Sequence, residues 1–163
     1  MTPAVNLLKK SKTQYQLHEY EHVPSADSYG LEAAQKLGIE PGRVFKTLVA
    51  SLDGGGSEKK FVVALVPVNT SLNMKSLAKA AAAKKAAMAD KADVARVTGY
   101  ILGGVSPLGQ KKRLPTFIDE SAVSYTSIYI SAGRRGLEIE LRPGDLKQLT
   151  NGRFVGISSD ECQ

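Results

Sequence analysis

The sequence predicts one domain in which α-helices and β-strands alternate around a mixed β-sheet. Three observations support this prediction. The length of 163 residues suits a single domain. Two pairs of apolar, β-branched segments are typical of strands, and apolar residues recur at helical spacing before, between and after these pairs. No internal repeat or long linker divides the chain, so we expect residues 1–163 to fold as one unit.

The first predicted strand pair is VFKTLVASL (44–52) and FVVALVPV (61–68), joined by the polar turn DGGGSEKK. The second pair is SIYISAG (127–133) and LEIEL (137–141), joined by a Gly-Arg-Arg-Gly turn. In each pair the short polar connection brings two strand-forming segments next to each other. The first connection is longer than a tight hairpin loop, and the strand pairs near the turns predict a mixed sheet.

Five helices are predicted from apolar spacing and from residues that begin or end helices. They cover residues 3–12, 30–37, a segment from 73 onward, 89–97 and a short segment from 145 onward. Pro3 suits a first helical turn, and Gly38 and Gly99 suit helix ends. Asn73 precedes the third helix, and Asp145 is expected to cap the last one.

The formal net charge is +6 and the pI is about 9.4. Basic surfaces attract polyanions, so this balance favours a nucleic acid partner without establishing one. No apolar run reaches the roughly 18 residues of a membrane helix, and the N-terminus lacks a signal-peptide core. The lone cysteine, Cys162, cannot form an internal disulfide. We therefore expect a cytoplasmic protein that does not enter a membrane.

The usual catalytic motifs are missing from the sequence. It contains no H-E-x-x-H, CxxC, G-x-S-x-G or P-loop. His18 and His22 lie four residues apart, but their segment has little helical periodicity and further zinc ligands are not apparent. We interpret both histidines as surface or structural residues and expect no metal site.

Lys46 lies within a predicted strand that is apolar on both faces. Val44 and Leu48 share its face, while Phe45, Thr47 and Val49 point the other way. A charge there is costly unless a cavity or a partner receives it. A cavity lysine would suit a phosphate, a carboxylate or a polarised carbonyl oxygen. The alternative is an edge-strand lysine that discourages aggregation.

A glycine-rich loop lies within TGYILGGVSPLGQKKRLPTFID (98–119). Gly103 and Gly104 allow a ligand to approach the backbone, and Pro107 fixes the exit of the turn. The basic residues Lys111, Lys112 and Arg113 follow, where they could meet phosphates. The alternative is an ordinary Gly-Pro turn followed by a solvated basic run.

A third polar region surrounds the turn of the second strand pair. Ser131 precedes the basic residues Arg134 and Arg135, and Glu138 follows them. Glu138 alternates with apolar residues in its strand, a pattern that predicts a solvent-facing side chain. Tyr20 lies in a polar segment and is expected to be half-buried with a solvated hydroxyl.

Taken together, these segments resemble the YbaK family of aminoacyl-tRNA deacylases and the editing domain inserted in bacterial prolyl-tRNA synthetases. The similarity runs from MTPAVNLL to LEIELRPGDL, and VFKTL and GYILGGVSPLGQKKRLPTFID are its most specific parts. GGVSPLGQKK favours the branch that acts on cysteinyl-tRNA(Pro) over alanine-specific editors. The resemblance implies an α+β fold with a mixed, barrel-like sheet flanked by helices.

The resemblance also implies roles for individual residues. Lys46 would contact the terminal adenosine and its aminoacyl group, with Thr47 beside it. The surrounding pocket positions would be Tyr20, Tyr100, Gly103, Ser131 and Glu138. Gly103–Pro107 matches the family's GxxxP loop, whose backbone holds the substrate. Glu138 departs from the aspartate expected in this family, which weakens its assignment.

The implied activity is trans-editing of Cys-tRNA(Pro), with Cys-tRNA(Cys) as a further substrate. The substrate's own thiol would attack its ester, while the protein positions it without a metal or organic cofactor. The implied partners are aminoacyl-tRNA and, transiently, prolyl-tRNA synthetase, and a monomer is expected. Two alternatives stay open: a non-catalytic module that binds tRNA ends or a synthetase, and a deacylase for another misacylated tRNA.

Overall fold

The computed structural model describes residues 1–23, 29–53 and 60–160. Its α-helices are α1 (Pro3–Ser11), α2 (Tyr29–Leu37), α3 (Met74–Ala80), α4 (Lys91–Thr98) and α5 (Pro143–Thr150). Its strands are β1 (Gln16–Glu19), β2 (Phe45–Asp53), β3 (Lys60–Pro67), β4 (Thr70–Leu72), β5 (Lys85–Met88), β6 (Thr116–Asp119), β7 (Ile128–Ser131), β8 (Leu137–Leu141), β9 (Arg153–Val155) and β10 (Ser158–Asp160). Most of the polar turn predicted after β2 lies outside the described residues, as does Cys162.

The strands form a mixed sheet and two antiparallel ones. The mixed sheet has the order β5-β2-β3-β6-β9, in which β3, β6 and β9 are parallel and β2 is antiparallel to both its neighbours. A three-stranded antiparallel sheet has the order β1-β8-β7, and β10 pairs with β4. A single bridge from Val44 to Tyr129 links the two larger sheets. The predicted α+β fold with helices around a mixed sheet is confirmed, and the described strands do not close into one barrel.

Both predicted strand pairs are present as antiparallel neighbours. β2 pairs with β3, so that Lys46 lies opposite Val66, and β7 pairs with β8. The strands β1, β4, β5, β6, β9 and β10 are not predicted. In β1 and β5, QLHE and KAAM lack the β-branched residues that mark a strand. Tertiary pairing with β8 and β2 imposes the extended conformation on them.

Local signals place most of the helix ends. The Thr2 hydroxyl accepts a hydrogen bond from the Val5 N–H at 3.3 Å at the start of α1. The Asn73 side chain accepts from the Ser76 N–H at 3.0 Å at the start of α3. Gly38 and Gly99 follow α2 and α4 with positive φ angles of 69° and 82°. These are the ends that the sequence predicts.

The prediction that Asp145 caps the last helix is wrong. α5 begins two residues earlier, at Pro143, and Arg142 is its N-cap. Proline favours the first helical turn because its φ is already fixed and its missing N–H has no intrahelical partner there. Asp145 therefore lies inside the first turn, where its negative charge interacts favourably with the helix dipole.

The main apolar core lies on one face of the β1-β8-β7 sheet. Its larger buried side chains are Leu8, Phe45, Leu65, Ile118, Ile130, Ile139 and Leu146. The opposite face of this sheet carries polar side chains, because side chains alternate along each strand. On that face Ser131, Glu138 and His18 lie in one cross-strand row. This polar face forms part of the site described below.

Candidate active site

A cavity of about 300 Å³ opens where the start of β2 meets the β1-β8-β7 sheet. Five stretches of chain line it: the end of β1, the start of α2, the start of β2, a glycine loop before Val105, and the turn and strand around β8. The lining residues are Tyr20, Gly30, Val44, Phe45, Lys46, Thr47, Leu48, Leu102, Gly103, Val105, Ser131, Arg134, Arg135 and Glu138. The walls are thus apolar, with a small number of polar groups that converge, as in ligand sites generally.

Lys46 lines this cavity. β2 is an inner strand of its sheet, between β3 and β5, but β5 pairs only with Ala50–Asp53. Beyond the reach of β5, the first residues of β2 border the cavity. The cavity interpretation of Lys46 therefore matches the structure better than the edge-strand alternative. The position supplies an ammonium group at the wall of a partly apolar space.

Thr47, the next residue of β2, also lines the cavity. Its Oγ1 atom is buried and has no hydrogen-bond partner among the residues that the structure describes. Buried hydroxyls are nearly always hydrogen-bonded, and an unpaired one costs about 1–3 kcal/mol. Because side chains alternate along a strand, the Thr47 hydroxyl lies on the face of β2 opposite to that of Lys46.

Ser131 and Glu138 face each other across β7 and β8, and both line the cavity. The Ser131 Oγ accepts a hydrogen bond from the Gly133 N–H at 3.1 Å, which holds the turn after β7. Glu138 is only 7% exposed, and burial raises the pKa of its carboxyl group to about 8. A carboxyl group with this pKa can either donate or accept a hydrogen bond near neutral pH.

The prediction from alternation that Glu138 faces solvent is wrong. Its neighbours Leu137, Ile139 and Leu141 do occupy the opposite face and pack in the core. However, β8 is the central strand of its sheet, and β2 and the glycine loop cover the second face. In this strand, alternation therefore places one set of side chains in the core and the other set against the cavity, not in bulk water.

Tyr20 lies at the end of β1 and is half-buried, as predicted. Its backbone N–H donates to the Gly136 carbonyl oxygen at 3.0 Å, which ties this residue to the turn before β8. Burial and the nearby Glu138 carboxylate raise the pKa of the Tyr20 hydroxyl. Tyr20 is thus held as a neutral hydrogen-bonding group beside Glu138.

The glycine loop packs tightly on the turn that follows β7. Gly103 has a φ of 93°, which a residue with a side chain rarely adopts. A Cβ atom on Gly104 would lie 3.3 Å from the Arg134 Cα. The Arg135 Nη2 donates to the Leu102 carbonyl oxygen at 3.4 Å. These contacts fix the loop backbone at the mouth of the cavity.

Tyr100 and Pro107, which the sequence comparison also assigns to the pocket, lie outside the described lining. The Tyr100 hydroxyl donates to the Leu108 carbonyl oxygen at 2.6 Å, and burial raises its pKa to about 12. Pro107 borders a separate depression beside Leu7 and Leu149. The Tyr100 hydroxyl thus binds the loop backbone at Leu108, and neither residue lines the cavity.

The two histidines have structural contacts, as the sequence predicts. The His18 Nε2 lies 2.9 Å from Glu140 Oε1, and the His22 Nδ1 lies 2.7 Å from Glu32 Oε1. The first pair ties β1 to β8, and the second ties the segment after β1 to α2. Neither histidine lines the cavity.

Sequence reasoning missed several of the lining residues. The sequence marks Arg134 and Arg135 only as part of a basic turn, yet both border the cavity. Gly30 also lines it, and a Cβ atom there would lie 2.3 Å from Val68 Cγ1, so glycine lets α2 approach β3 closely. The proximity of the arginines to Ser131 in sequence was a usable signal. The contribution of α2 depends on tertiary packing and had no local signal.

The cavity lining combines one ammonium group, two guanidinium groups, three side-chain hydroxyls and one buried carboxyl group with apolar walls. An ammonium and hydroxyl donors suit a developing oxyanion or a ribose, and the carboxyl and phenol groups suit an amine. No helix within the described ranges is long and apolar enough to cross a membrane. The geometry of the cavity therefore defines a pocket for a small polar ligand.

Residues 23–149 match the sequence family described as the aminoacyl-tRNA editing domain. This match covers most of the chain, and the chain therefore belongs to that family. The lysine, glycine loop and serine turn that the family resemblance singled out are the segments that converge on the cavity.

Individual relatives agree with this assignment. The chain is 44% identical over 161 residues to an Enterococcus faecalis protein named "Putative Cys-tRNA(Pro)/Cys-tRNA(Cys) deacylase EbsC", covering 98% of this chain and 94% of that protein. It is 28% identical over 108 residues to the proline--tRNA ligase of Stenotrophomonas maltophilia, covering 66% of this chain and 19% of the ligase. It has the same fold as a solved structure titled "Crystal structure of a putative trans-editing enzyme for prolyl tRNA synthetase", with a TM-score of 0.79 and 22% identity over 98% of this chain and 99% of that one.

Proposed function

We propose that this protein is a trans-editing aminoacyl-tRNA deacylase that removes cysteine from Cys-tRNA(Pro), with Cys-tRNA(Cys) as a second substrate. Membership of the editing-domain family and the relative that is 44% identical over nearly its whole length support deacylase activity. The structural observation that carries the proposal is the shared cavity of Lys46 and Glu138, which presents opposite polarities to one small ligand.

Each polar group of the cavity has a role in this proposal. Lys46 anchors the terminal ribose and ester by its ammonium group, and Thr47, the next residue of β2, borders the same cavity. Glu138 and Tyr20 receive the amino group of the aminoacyl moiety, with Ser131 beside them. An ammonium ion bound there would favour the charged form of Glu138 and lower its pKa from about 8.

The proposed reaction uses the substrate as its own nucleophile. The cysteine thiolate forms a bond to the ester carbonyl carbon, and the bond from that carbon to the ribose oxygen breaks. The ribose oxygen takes up a proton in place of the one that the thiol lost, and the amino acid leaves as a cyclic thioester. A thiolate is a strong nucleophile even as a minor species near neutral pH. The described lining contains no cysteine or histidine, which is compatible with this role for the substrate.

In this reaction the protein supplies positioning and charge stabilisation. The negative charge that develops on the ester oxygen lies next to a lysine ammonium within a largely apolar space, where such interactions are strong. Serine has a hydroxyl of far higher pKa, and alanine has no nucleophile. Selectivity for cysteine would therefore follow from chemistry more than from pocket size.

The test is a deacylation time course on tRNA(Pro) charged with cysteine, serine or alanine. We expect rapid loss of cysteine only, and a fall of about 100-fold in kcat/KM for Lys46→Ala. Lys75→Ala, an exposed lysine on α3, is the matched control and should retain wild-type rates. Equal turnover of the serine ester would contradict the thiol mechanism. Binding of tRNA without deacylation of any ester would indicate a non-catalytic module.

A transient complex with prolyl-tRNA synthetase is part of the proposal. Its support is the similarity to a segment of a proline--tRNA ligase, in which a related domain is joined covalently to the synthetase. If the free-standing protein works beside the enzyme, adding prolyl-tRNA synthetase should raise the deacylation rate at low tRNA concentration. A rate that does not change over a range of synthetase concentrations would contradict this part.

A further inference from the structure

A tRNA end that enters the cavity continues as a chain of nucleotides outside it. The cavity volume of about 300 Å³ suits one aminoacyl group with its ribose, so the preceding phosphates must leave across the rim. The loop residue Leu102 and the turn residue Arg134 line the cavity, and Ile101 adjoins Leu102 in the chain.

Arg134 is exposed to solvent and also lines the cavity. Its side chain makes no ion pair or hydrogen bond with any part of the chain that the structure describes. Its backbone is nevertheless fixed, because Gly104 packs within van der Waals contact of the Arg134 Cα and the adjacent Arg135 donates to the Leu102 carbonyl oxygen. Arg134 thus belongs to a turn whose backbone packs against the glycine loop.

Ile101 and Leu102 present apolar surface beside this arginine. Ile101 is 72% exposed and Leu102 is 46% exposed, which is unusual for two consecutive large aliphatic residues. The loop itself is ordered by the hydrogen bond from the Gly104 N–H to the Ile101 carbonyl oxygen at 2.9 Å. Neighbouring apolar side chains exposed to water beside a cavity are typical of a surface that a ligand covers.

We propose that Ile101, Leu102 and Arg134 form a second nucleotide subsite, which holds the residue that precedes the terminal adenosine of the tRNA. Arg134 binds the phosphate between the two nucleotides, since a guanidinium fork matches phosphate oxygens in geometry and charge. Ile101 and Leu102 pack against the apolar face of the preceding base. This inference rests on the proposed function for its ligand, the end of a tRNA.

The experiment compares two cysteinyl esters, one on tRNA(Pro) and one on adenosine alone, which lacks the phosphate and the preceding base. Arg134→Gln should lower kcat/KM for the tRNA ester about tenfold and leave the adenosine ester within about twofold. Ile101→Ser should show the same selective loss. Arg142→Gln, an exposed arginine at the start of α5 outside the cavity lining, is the matched control for both.

Binding of an uncharged RNA oligonucleotide ending in CCA provides a readout that does not need catalysis. Arg134→Gln should weaken this binding about tenfold and reduce its salt dependence by about one phosphate contact. Equal losses on the two esters, or unchanged RNA binding, would overturn the subsite. If wild type bound the RNA through Arg134 but cleaved neither ester, the proposed function would fail while the subsite would stand.

Discussion

Ser131 of β7 and Glu138 of β8 are direct partners across an antiparallel pair, and both residues face one cavity. This pairing places a carboxyl group, only 7% exposed, beside a hydroxyl on the inner side of a sheet. Burial raises the pKa of Glu138 to about 8. The position of Glu138 in the cavity wall places its carboxyl group where a ligand can bind. The same position keeps water away, so the charged form of the carboxyl group is costly in the free protein.

The first prediction concerns the stability of Glu138→Gln as a function of pH. Because the folded pKa of Glu138 is raised, wild type gains its full stabilisation from the bound proton below about pH 4.5. It loses this stabilisation as the pH rises through about 8. Relative to the variant, wild type should lose a few kcal/mol of unfolding free energy across this interval, on the order expected from such a shift. Urea denaturation at several pH values measures it.

Glu140→Gln is the control for that experiment. Although burial raises the pKa of Glu140, hydrogen bonds from Ser127 and His18 hold it below its usual value. A lowered pKa stabilises the protein above about pH 4.5, and the stabilisation is lost as the pH falls further. The difference in unfolding free energy between wild type and Glu140→Gln should therefore change below about pH 4.5. Stability curves of wild type and Glu138→Gln that run parallel from pH 4.5 to 8 would contradict the first prediction.

Thr47→Val should separate binding from stability. The Thr47 hydroxyl is buried and has no partner among the described residues, so its removal should leave the unfolding free energy unchanged or raise it by about 1 kcal/mol. If the hydroxyl donates to the substrate, kcat/KM should fall about tenfold. Thermal unfolding and deacylation rates on the same preparation test both parts.

Thr116→Val is the matched variant for Thr47→Val. Its hydroxyl donates to the Leu114 carbonyl oxygen at 3.1 Å and lies outside the cavity lining. Loss of this bond should cost about 1 kcal/mol of stability and leave the deacylation rate near that of wild type. If Thr47→Val destabilised the protein as much as Thr116→Val, its hydroxyl would have a structural partner instead.

Gly136→Ala should damage both the fold and the site. Gly136 has a φ of 89°, and a Cβ atom there would lie 2.8 Å from the Tyr20 carbonyl oxygen. The strained backbone should cost about 1–3 kcal/mol, and displacement of Tyr20 should lower activity. Gly144→Ala is the control, since nothing lies within 4 Å of its Cβ position and it lies in α5. That change should stabilise the protein by up to about 1 kcal/mol. Similar stabilities of the two variants would contradict the assigned turn geometry.

Tyr100→Phe distinguishes a supporting role from a substrate contact. The Tyr100 hydroxyl donates to the Leu108 carbonyl oxygen at 2.6 Å in a buried environment. Its loss should therefore cost about 1–3 kcal/mol of stability, because the carbonyl group loses its buried donor. Any loss of activity should follow from displacement of the loop. Unchanged stability with a strong loss of activity would favour the direct contact that the family resemblance assigns to Tyr100.

The sequence predicts the elements whose signals are local. The pair β2 and β3 follows from two β-branched apolar runs, and the ends of α1 and α3 follow from Pro3 and Asn73. β5 is not predicted, because alanine and lysine give no strand signal. Only its pairing with β2 holds that segment in an extended conformation. The start of α5 is misjudged because Asp145 and Pro143 both suit a helix start, and the proline takes the earlier position.

Membership of the editing-domain family follows from the sequence alone, and the sequence also predicts that Lys46 and Gly103 belong to one site. Only the tertiary structure decides that Glu138 faces a cavity, that Tyr100 lies behind the loop and that Arg134 borders the mouth. Alternation along a strand shows that two faces differ, but it does not show what covers each face. That depends on how β2, the glycine loop and the β1-β8-β7 sheet pack together over distances that no local pattern encodes.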